Sequence, residues 1–381
     1  MSRLLYISPT AFDYSDQNGV PKKILNQSNA FAGFGYQVDI LSYHDGRVML
    51  YHVNSMTQEV AMKGTSKIDV LLAVPKVIKG YDRVYIRYPM SDFFFLLALK
   101  CIKHEGIPIV VEIPTYPYDS EGKESLKGRI ILALDKFYRK KIHSYVDKIC
   151  TYSNDREIFN IPTINTINGY DFSRVLPGEE IINTQDCIRM IAVSNMWPLH
   201  GYDRLIKGLG AYYSAGGRRN IELNIVGSGY IEQEWKELTT ELGLQEHVVF
   251  HGKVFGDDLM KLYQGQALGV NSLAIHRDNL LNESTLKTKE YAALGLPIIS
   301  SSYVDAFSKE GNNLYTLRVP ADETVIDVEA LILFVDKLYE NPTKQIRDAI
   351  RKDAKSICDM PVTLKPVIDF YESSNLKNDV F

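Results

Sequence analysis

The sequence predicts an α/β protein made of two doubly wound, Rossmann-like domains with parallel sheets. Short apolar runs alternate with helical spacings along nearly the whole chain, as βαβ units require. The alternation lapses between Gly169 and Asp186 and then restarts. The length, 381 residues, is also more than one ordinary core supports.

Leu4–Ser8 reads as a buried strand. After a polar loop and Gly19, residues Val20, Ile24, Ser28 and Phe31 recur at helical spacing, and Val38–Tyr43 is the next strand. Val84–Tyr88, Ile107–Ile113 and Lys148–Ser153 continue as strands, with helices expected over Asp92–His104 and Leu126–Tyr145. Gly169–Asp186 has no periodicity and is expected to be a linker. Beyond it come strands at Ile188–Val193, Ile221–Val226, Val248–His251 and Leu268–Ser272, and helices at Tyr202–Tyr213, Ile231–Leu242, Asp257–Tyr263 and Ile326–Tyr339. The expected division is 1–172 for an acceptor-side N-terminal domain and 187–358 for a nucleotide-sugar-binding C-terminal domain. A helical tail, 359–381, is expected to pack back on the first domain.

Composition narrows the class. Hydrophobic residues make up 45% and charged residues 24%, as in soluble globular proteins. A net charge of −4 argues against a general nucleic-acid binder. Cys101, Cys150, Cys187 and Cys358 match no zinc spacing and fit a reducing compartment. The longest apolar run, Phe93–Leu99, falls short of the roughly 18 residues of a membrane-spanning helix. The expectation is a cytoplasmic protein able to sit peripherally on the membrane face.

Leu280–Ser302 is the most informative stretch: a loop, a short helix, a stop at Gly295 and Pro297, and a strand at Ile298-Ile299. Asn282, Ser284 and Thr285 are competent N-caps. Leu286, Glu290, Ala293 and Leu294 fall on one helical face, so Glu290 is a carboxylate where burial is expected. It is either a satisfied structural acid or a holder of a hydroxylated ligand. Lys287 stands near the helix start, where amides and the dipole favour an anion. Together they suggest a sugar phosphate or nucleotide sugar.

Several segments, in order, resemble family 4 glycosyltransferases. Ala192–Leu209 is similar to that family's strand, phosphate loop and helix. Asn168-Gly169-Tyr170-Asp171 resembles its hinge, and Ile225–Gly229, Phe250–Val254 and Glu290–Pro297 resemble its later motifs. Gly19-Val20 and Phe34–Val38 resemble its N-terminal region, and Glu112–Asp119 the variant of bacterial capsule and exopolysaccharide transferases. The resemblance implies a GT-B fold, with two Rossmann-like domains facing each other across a cleft. It also implies metal-independent, retaining transfer of a hexose from a nucleotide sugar, with UDP the commonest donor nucleotide in the family. No resident cofactor is implied.

Where the family carries an Arg and a Lys in its phosphate loop, this chain has Asn195 and His200, which leaves Lys287 as the main candidate to neutralise a diphosphate. His276 and Arg277 are secondary. Where the family pairs Glu290 with a second glutamate, the spacing lands on Asn282, one residue from Glu283. The catalytic candidates are therefore Lys287, Glu283 and Asp119. Donor-binding candidates are Gly19, Ser194, Asn195, His200, Gly227, Lys253, Asn282, Ser284, Thr285, Leu286 and Glu290. On the acceptor side stand Arg87, Thr115, Tyr116 and Tyr118, and no metal ligand is expected.

Lys127, Arg129, Lys136, Arg139, Lys140, Lys141 and Lys148 enrich the segment Leu126–Lys148 in positive charge, with only Asp135 and Asp147 against them, interleaved with Ile130, Ile131, Leu134, Phe137 and Tyr138. That reads as a surface helix packing its apolar side on the sheet, or as a basic amphipathic face for anionic lipid, useful with a lipid-linked saccharide acceptor. A nucleotide-sugar-binding protein without transfer activity and a sugar-nucleotide epimerase are the alternative functions.

Overall fold

The computed structural model describes residues 1–13, 19–119, 125–178, 180–280 and 283–375. The chain forms two units: Met1–Asn168 with Met360–Phe381, and Gly169–Asp359.

The first unit runs β1 (Arg3–Ala11), α1 (Gly19–Gly33), β2 (Gln37–His44), β3 (Arg47–His52), β4 (Thr57–Lys63), α2 (Lys67–Val77), β5 (Arg83–Arg87), α3 (Phe93–His104), β6 (Ile109–Ile113), α4 (Leu126–Tyr138), β7 (Lys148–Thr151), β8 (Glu157–Ile158) and β9 (Ile161–Asn165). Its sheet order is β4-β3-β2-β1-β5-β6-β7-β9-β8. The strands from β2 to β9 by way of β1 pair in parallel, whereas β3 and β4 extend the edge antiparallel. Side chains of one strand alternate between faces. Leu5 and Ile7 join a core with Val70, Val74, Phe95 and Leu99 from α2 and α3. Leu4 and Tyr6 join the opposite core with Ile24 and Phe31 of α1.

β3, β4 and α2 are additions to the expected elements, whereas β2 is the strand expected at Val38–Tyr43. Asp45 (φ 46°) and Gly46 (φ 76°) make the β2–β3 turn with two left-handed residues, the signature of a tight hairpin. The helix expected to reach Tyr145 stops at Tyr138 and continues as a 3₁₀ turn over Arg139–Ser144. Within α4 only Leu132 and Asp135 are buried, so the expectation that its apolar side packs on the sheet is corrected.

The second unit runs β10 (Ile188–Val193), α5 (Tyr202–Ser214), β11 (Ile221–Val226), α6 (Glu232–Glu241), β12 (Val248–Gly252), α7 (Gly256–Tyr263), β13 (Leu268–Val270), α8 (Leu286–Ala293), β14 (Ile298–Ser300), α9 (Lys309–Tyr315), β15 (Thr316–Arg318), α10 (Val328–Tyr339) and α11 (Thr343–Cys358). All its strand pairs are parallel, in the order β12-β11-β10-β13-β14-β15. The order reverses between β10 and β13, so the loops leaving these strands diverge and open a crevice at their carboxyl ends.

Gly169–Asp186 is not slack. Tyr170 N donates to Cys358 O at 2.9 Å, and Phe172 is fully buried in the second unit under Arg351. The chain then returns to the first unit as α12 (Met360–Asn375). Leu364, Val367, Ile368 and Tyr371 fill the core shared with Leu4 and Tyr6, and Tyr371 OH donates to Val84 O at 2.8 Å. Among the described residues no helix is long and apolar enough to cross a membrane.

Candidate functional site

The crevice of the second unit is shaped by close backbone contacts. After β10, Ser194 N donates to Val226 O and Met196 N to Ser228 O, both at 3.0 Å. Gly227 has φ +123°, and a Cβ there would stand 1.9 Å from Ser194 O, so no other residue fits without moving the loop. The loop closes in a short 3₁₀ turn over Pro198–His200, with Gly201 left-handed at φ +59°. Leu273 N and Ala274 N donate to His200 O (2.9 Å) and Leu199 O (3.1 Å), which ties the loop after β10 to the loop after β13.

Polar side chains converge at this junction on Ser272. Its Oγ lies 3.1 Å from His200 Nδ1, accepts from Lys287 Nζ at 3.1 Å and donates to Glu283 Oε2 at 3.0 Å. Asn271 Nδ2 donates to Glu283 Oε1 at 2.7 Å and Lys287 Nζ to His200 Nδ1 at 3.0 Å. Burial, and then the neighbouring ammonium, push His200 down to about 3, so its ring is neutral and accepts at Nδ1. Burial likewise pulls Lys287 down to about 8, against the attraction of Glu283. Among the described residues no carboxylate lies within ion-pair distance of Lys287. A desolvated ammonium without a paired carboxylate, at the start of α8, is a site for an anion. Ser272 was singled out only as a strand end, because nothing local distinguishes a hub built from three loops.

Glu290 is satisfied inside the second unit: Tyr170 OH and Tyr263 OH donate to its two oxygens at 3.0 and 3.1 Å. Of the face expected to be buried, Ala293 and Leu294 are buried and Glu290 is half-buried, but Leu286 is 37% exposed, and Thr288, Lys289, Tyr291 and Ala292 are buried as well. Fully buried Lys289 pairs with Asp305 and donates to Ser284 Oγ at 3.0 Å, while Ser284 donates to Asp305 at 2.5 Å. That pair pins the loop entering α8. Thr285 is the N-cap residue but makes no side-chain cap bond. Asn282 lies outside the described residues, while Asn195 and Lys253 are exposed. Arg277 is bound to Asp203 (2.8 and 2.9 Å) and Glu323 (2.6 Å), and His276 to Glu323 (2.7 Å), so both are engaged away from Lys287.

In the first unit, Arg87, Thr115 and Tyr118 line a cavity of 490 Å³ with Tyr88, Ile113, and Gly128 and Ile131 of α4. Tyr116 packs against the ring of Tyr118. Tyr88 and Tyr118 both donate to buried Asp135, at 2.6 and 2.8 Å. Asp119 accepts from Arg139 (2.6 Å) and pairs with Lys136 (3.2 Å), and these cations hold it down at about 2. Gly19 is left-handed at φ +57° with open space around it. Behind the cavity lies a cluster that sequence reasoning missed: fully buried Glu112 meets Arg87 at 3.1 Å and Lys23 at 3.4 Å. It also accepts from Gln27 (2.8 Å) and Tyr152 (2.5 Å). Burial alone would raise this carboxyl, but Lys23 and Arg87 overcome it and bring it down to about 2.

Comparison with known proteins adds to this geometry. Residues 188–341 match the profile of the family described as Glycosyl transferases group 1. An uncharacterized glycosyltransferase of Methanocaldococcus jannaschii is 30% identical over 216 residues, 53% of this chain and 53% of that protein. The matched stretch thus spans about half the length of that relative. Among solved structures, sucrose-phosphate synthase of Thermosynechococcus elongatus superposes with a TM-score of 0.62 at 14% identity, covering 99% of this chain and 100% of that one. Anabaena HepE in complex with UDP gives 0.62 at 12% identity, covering 98% and 100%. A glycosyltransferase of Rickettsia africae gives 0.63 at 15%, covering 98% of each. The fold is that of GT-B glycosyltransferases, with two Rossmann-like α/β units, along almost the whole chain.

Proposed function

We propose that the protein is a retaining, metal-independent glycosyltransferase that moves a hexose from a UDP-sugar to a growing, lipid-linked saccharide of a bacterial surface polysaccharide. It works from the cytoplasm, with peripheral contact to the membrane. The observation that carries the reading is Lys287: a desolvated ammonium, backed by Ser272 and a neutral His200, at the crevice of the second unit. As the bond between sugar and diphosphate breaks, negative charge grows on the leaving UDP, and a preorganised cation stabilises it. Lys287 supplies that charge, and His200 keeps the ammonium oriented without adding a second charge. Glu290, held by two tyrosine hydroxyls, is assigned to the ribose, and Glu283 or Asn282 to the transferred sugar. Ser194, Asn195, Gly227, Lys253, Ser284, Thr285 and Leu286 border the donor. Arg87, Thr115, Tyr116 and Tyr118 take the acceptor, and Asp119, through Arg139, positions it. The nucleotide sugar is a co-substrate, and no resident cofactor is invoked. HepE has also been solved with UDP-glucose, which supports UDP as the first donor nucleotide to try.

Asn195 and His200, standing where the resembled family carries cations, favour a second reading: a nucleotide-sugar-binding protein without transfer activity. Thermal-shift screening against a panel of nucleotide sugars, followed by an assay for release of the nucleotide with lipid-linked acceptor, tests both. A UDP-sugar that raises the melting temperature and is turned over with acceptor is expected. Stabilisation without turnover favours the second reading, and free sugar released without acceptor favours an epimerase. Stabilisation by none of the panel contradicts the donor site itself.

A further inference from the structure

We infer that α4 is an interfacial helix that seats the first unit on an anionic lipid surface. Leu126, Ile130, Leu134 and Phe137 recur at i, i+4, i+8 and i+11 and are 75%, 54%, 47% and 58% exposed. At about 100° per residue they form one stripe, opposite the side that carries buried Leu132 and Asp135. A stripe of large apolar side chains facing water along a whole helix is not ordinary surface. Its flanks identify the occupant. Lys127 borders the stripe on one side, and Lys140 and Lys141 follow it, with Lys141 Nζ 4.3 Å above the Phe137 ring. The one acid within α4, Asp135, is buried and bonded to Tyr88, Tyr118 and Ser91 N. Apolar residues that enter the headgroup boundary, with cations at its edges, match a bilayer rich in anionic lipid.

The same helix has a second use. Gly128 and Ile131, on its inner side, wall the cavity that holds Arg87 and Tyr118. Seating the stripe in lipid therefore holds that cavity about one helix diameter, roughly 10 Å, from the membrane surface, within reach of a lipid-linked acceptor anchored there. This purpose rests on the acceptor reading above; the docking itself does not.

Sedimentation of the full chain with vesicles of phosphatidylglycerol and phosphatidylcholine, against phosphatidylcholine alone, tests the inference. The chain is expected to partition onto the anionic vesicles and to leave them, by tenfold or more, in high salt. Ile130→Glu/Phe137→Glu is expected to abolish partition, and Lys127→Glu/Lys140→Glu to weaken it at least tenfold. Both positions of the first pair are more than half exposed, so folding should persist; if that variant is lost, the second, wholly solvent-side variant still decides. Thermal shift with UDP should be unchanged in both, so failure of docking and failure of the donor site are read separately. No partition of the wild type overturns the inference, as does equal partition of wild type and variants. So does a dimer in light scattering that Ile130→Glu/Phe137→Glu converts to monomer, which would give the face to a second copy.

Discussion

Lys287 carries its charge only in part of the pH range in which an ordinary lysine does, because burial has lowered it to about 8. In the unfolded chain the amine keeps its proton up to the usual lysine range, so between pH 8 and about 10.5 the unfolded state binds more protons. The unliganded protein should therefore gain stability from this group as pH rises through that window, and Lys287→Met should remove that gain in urea titrations at pH 7.5 and 9.5. Binding of UDP should move the opposite way, weakening above pH 8 as the ammonium is lost, which calorimetry across that range would record. Glu112 gives the contrasting case. Its carboxyl sits at about 2, so its contribution is present above the unfolded value and fades as pH falls from about 4.5 towards 2. Glu112→Gln leaves Lys23 and Arg87 short of their counter-charge and should cost about 3–5 kcal/mol in urea unfolding. Neither Glu112 nor Ser272 was legible as a hub, since their partners come from separate elements: α1, β5, β6 and the segment after β7 for one, three loops for the other. Lys287 was legible because it stands at a helix start and the loop after β10, with Asn195 and His200, carries no Arg or Lys.

At the scale of elements, the tight corner between β10 and β11 makes the site possible. Gly227→Ala would drive a methyl group into Ser194 O at a backbone angle that disfavours side chains. We expect a loss of about 1–3 kcal/mol from the backbone alone, and more from the clash, measured by equilibrium denaturation. Most strands and helices were legible because apolar runs and amphipathic spacings survive in a buried parallel sheet. β3 and β4 escaped although Asp45-Gly46 is a strong signal for the β2–β3 turn, because β4 is an edge strand with exposed residues and no apolar run. The inward face of α8 was legible at Ala293 and Leu294 but not in its first turn, which enters from a loop held by the buried Lys289–Asp305 pair and leaves Leu286 outward.

At the scale of the whole molecule, two cores of opposite strand faces explain how α12 can belong to the first unit. Tyr371, fully buried in the core that also holds Tyr6 and Tyr85 and bonded to Val84 O, closes that core from the far end of the sequence. Tyr371→Ala should cost about 3–5 kcal/mol and unfold the first unit at lower denaturant than the second. The measurement that bears most directly on the central claim is calorimetric titration of UDP into the wild-type protein and Lys287→Ala at pH 7. The wild type is expected to bind UDP and the variant to bind at least tenfold more weakly, with its melting curve otherwise intact. Equal affinity in the two proteins would contradict that claim.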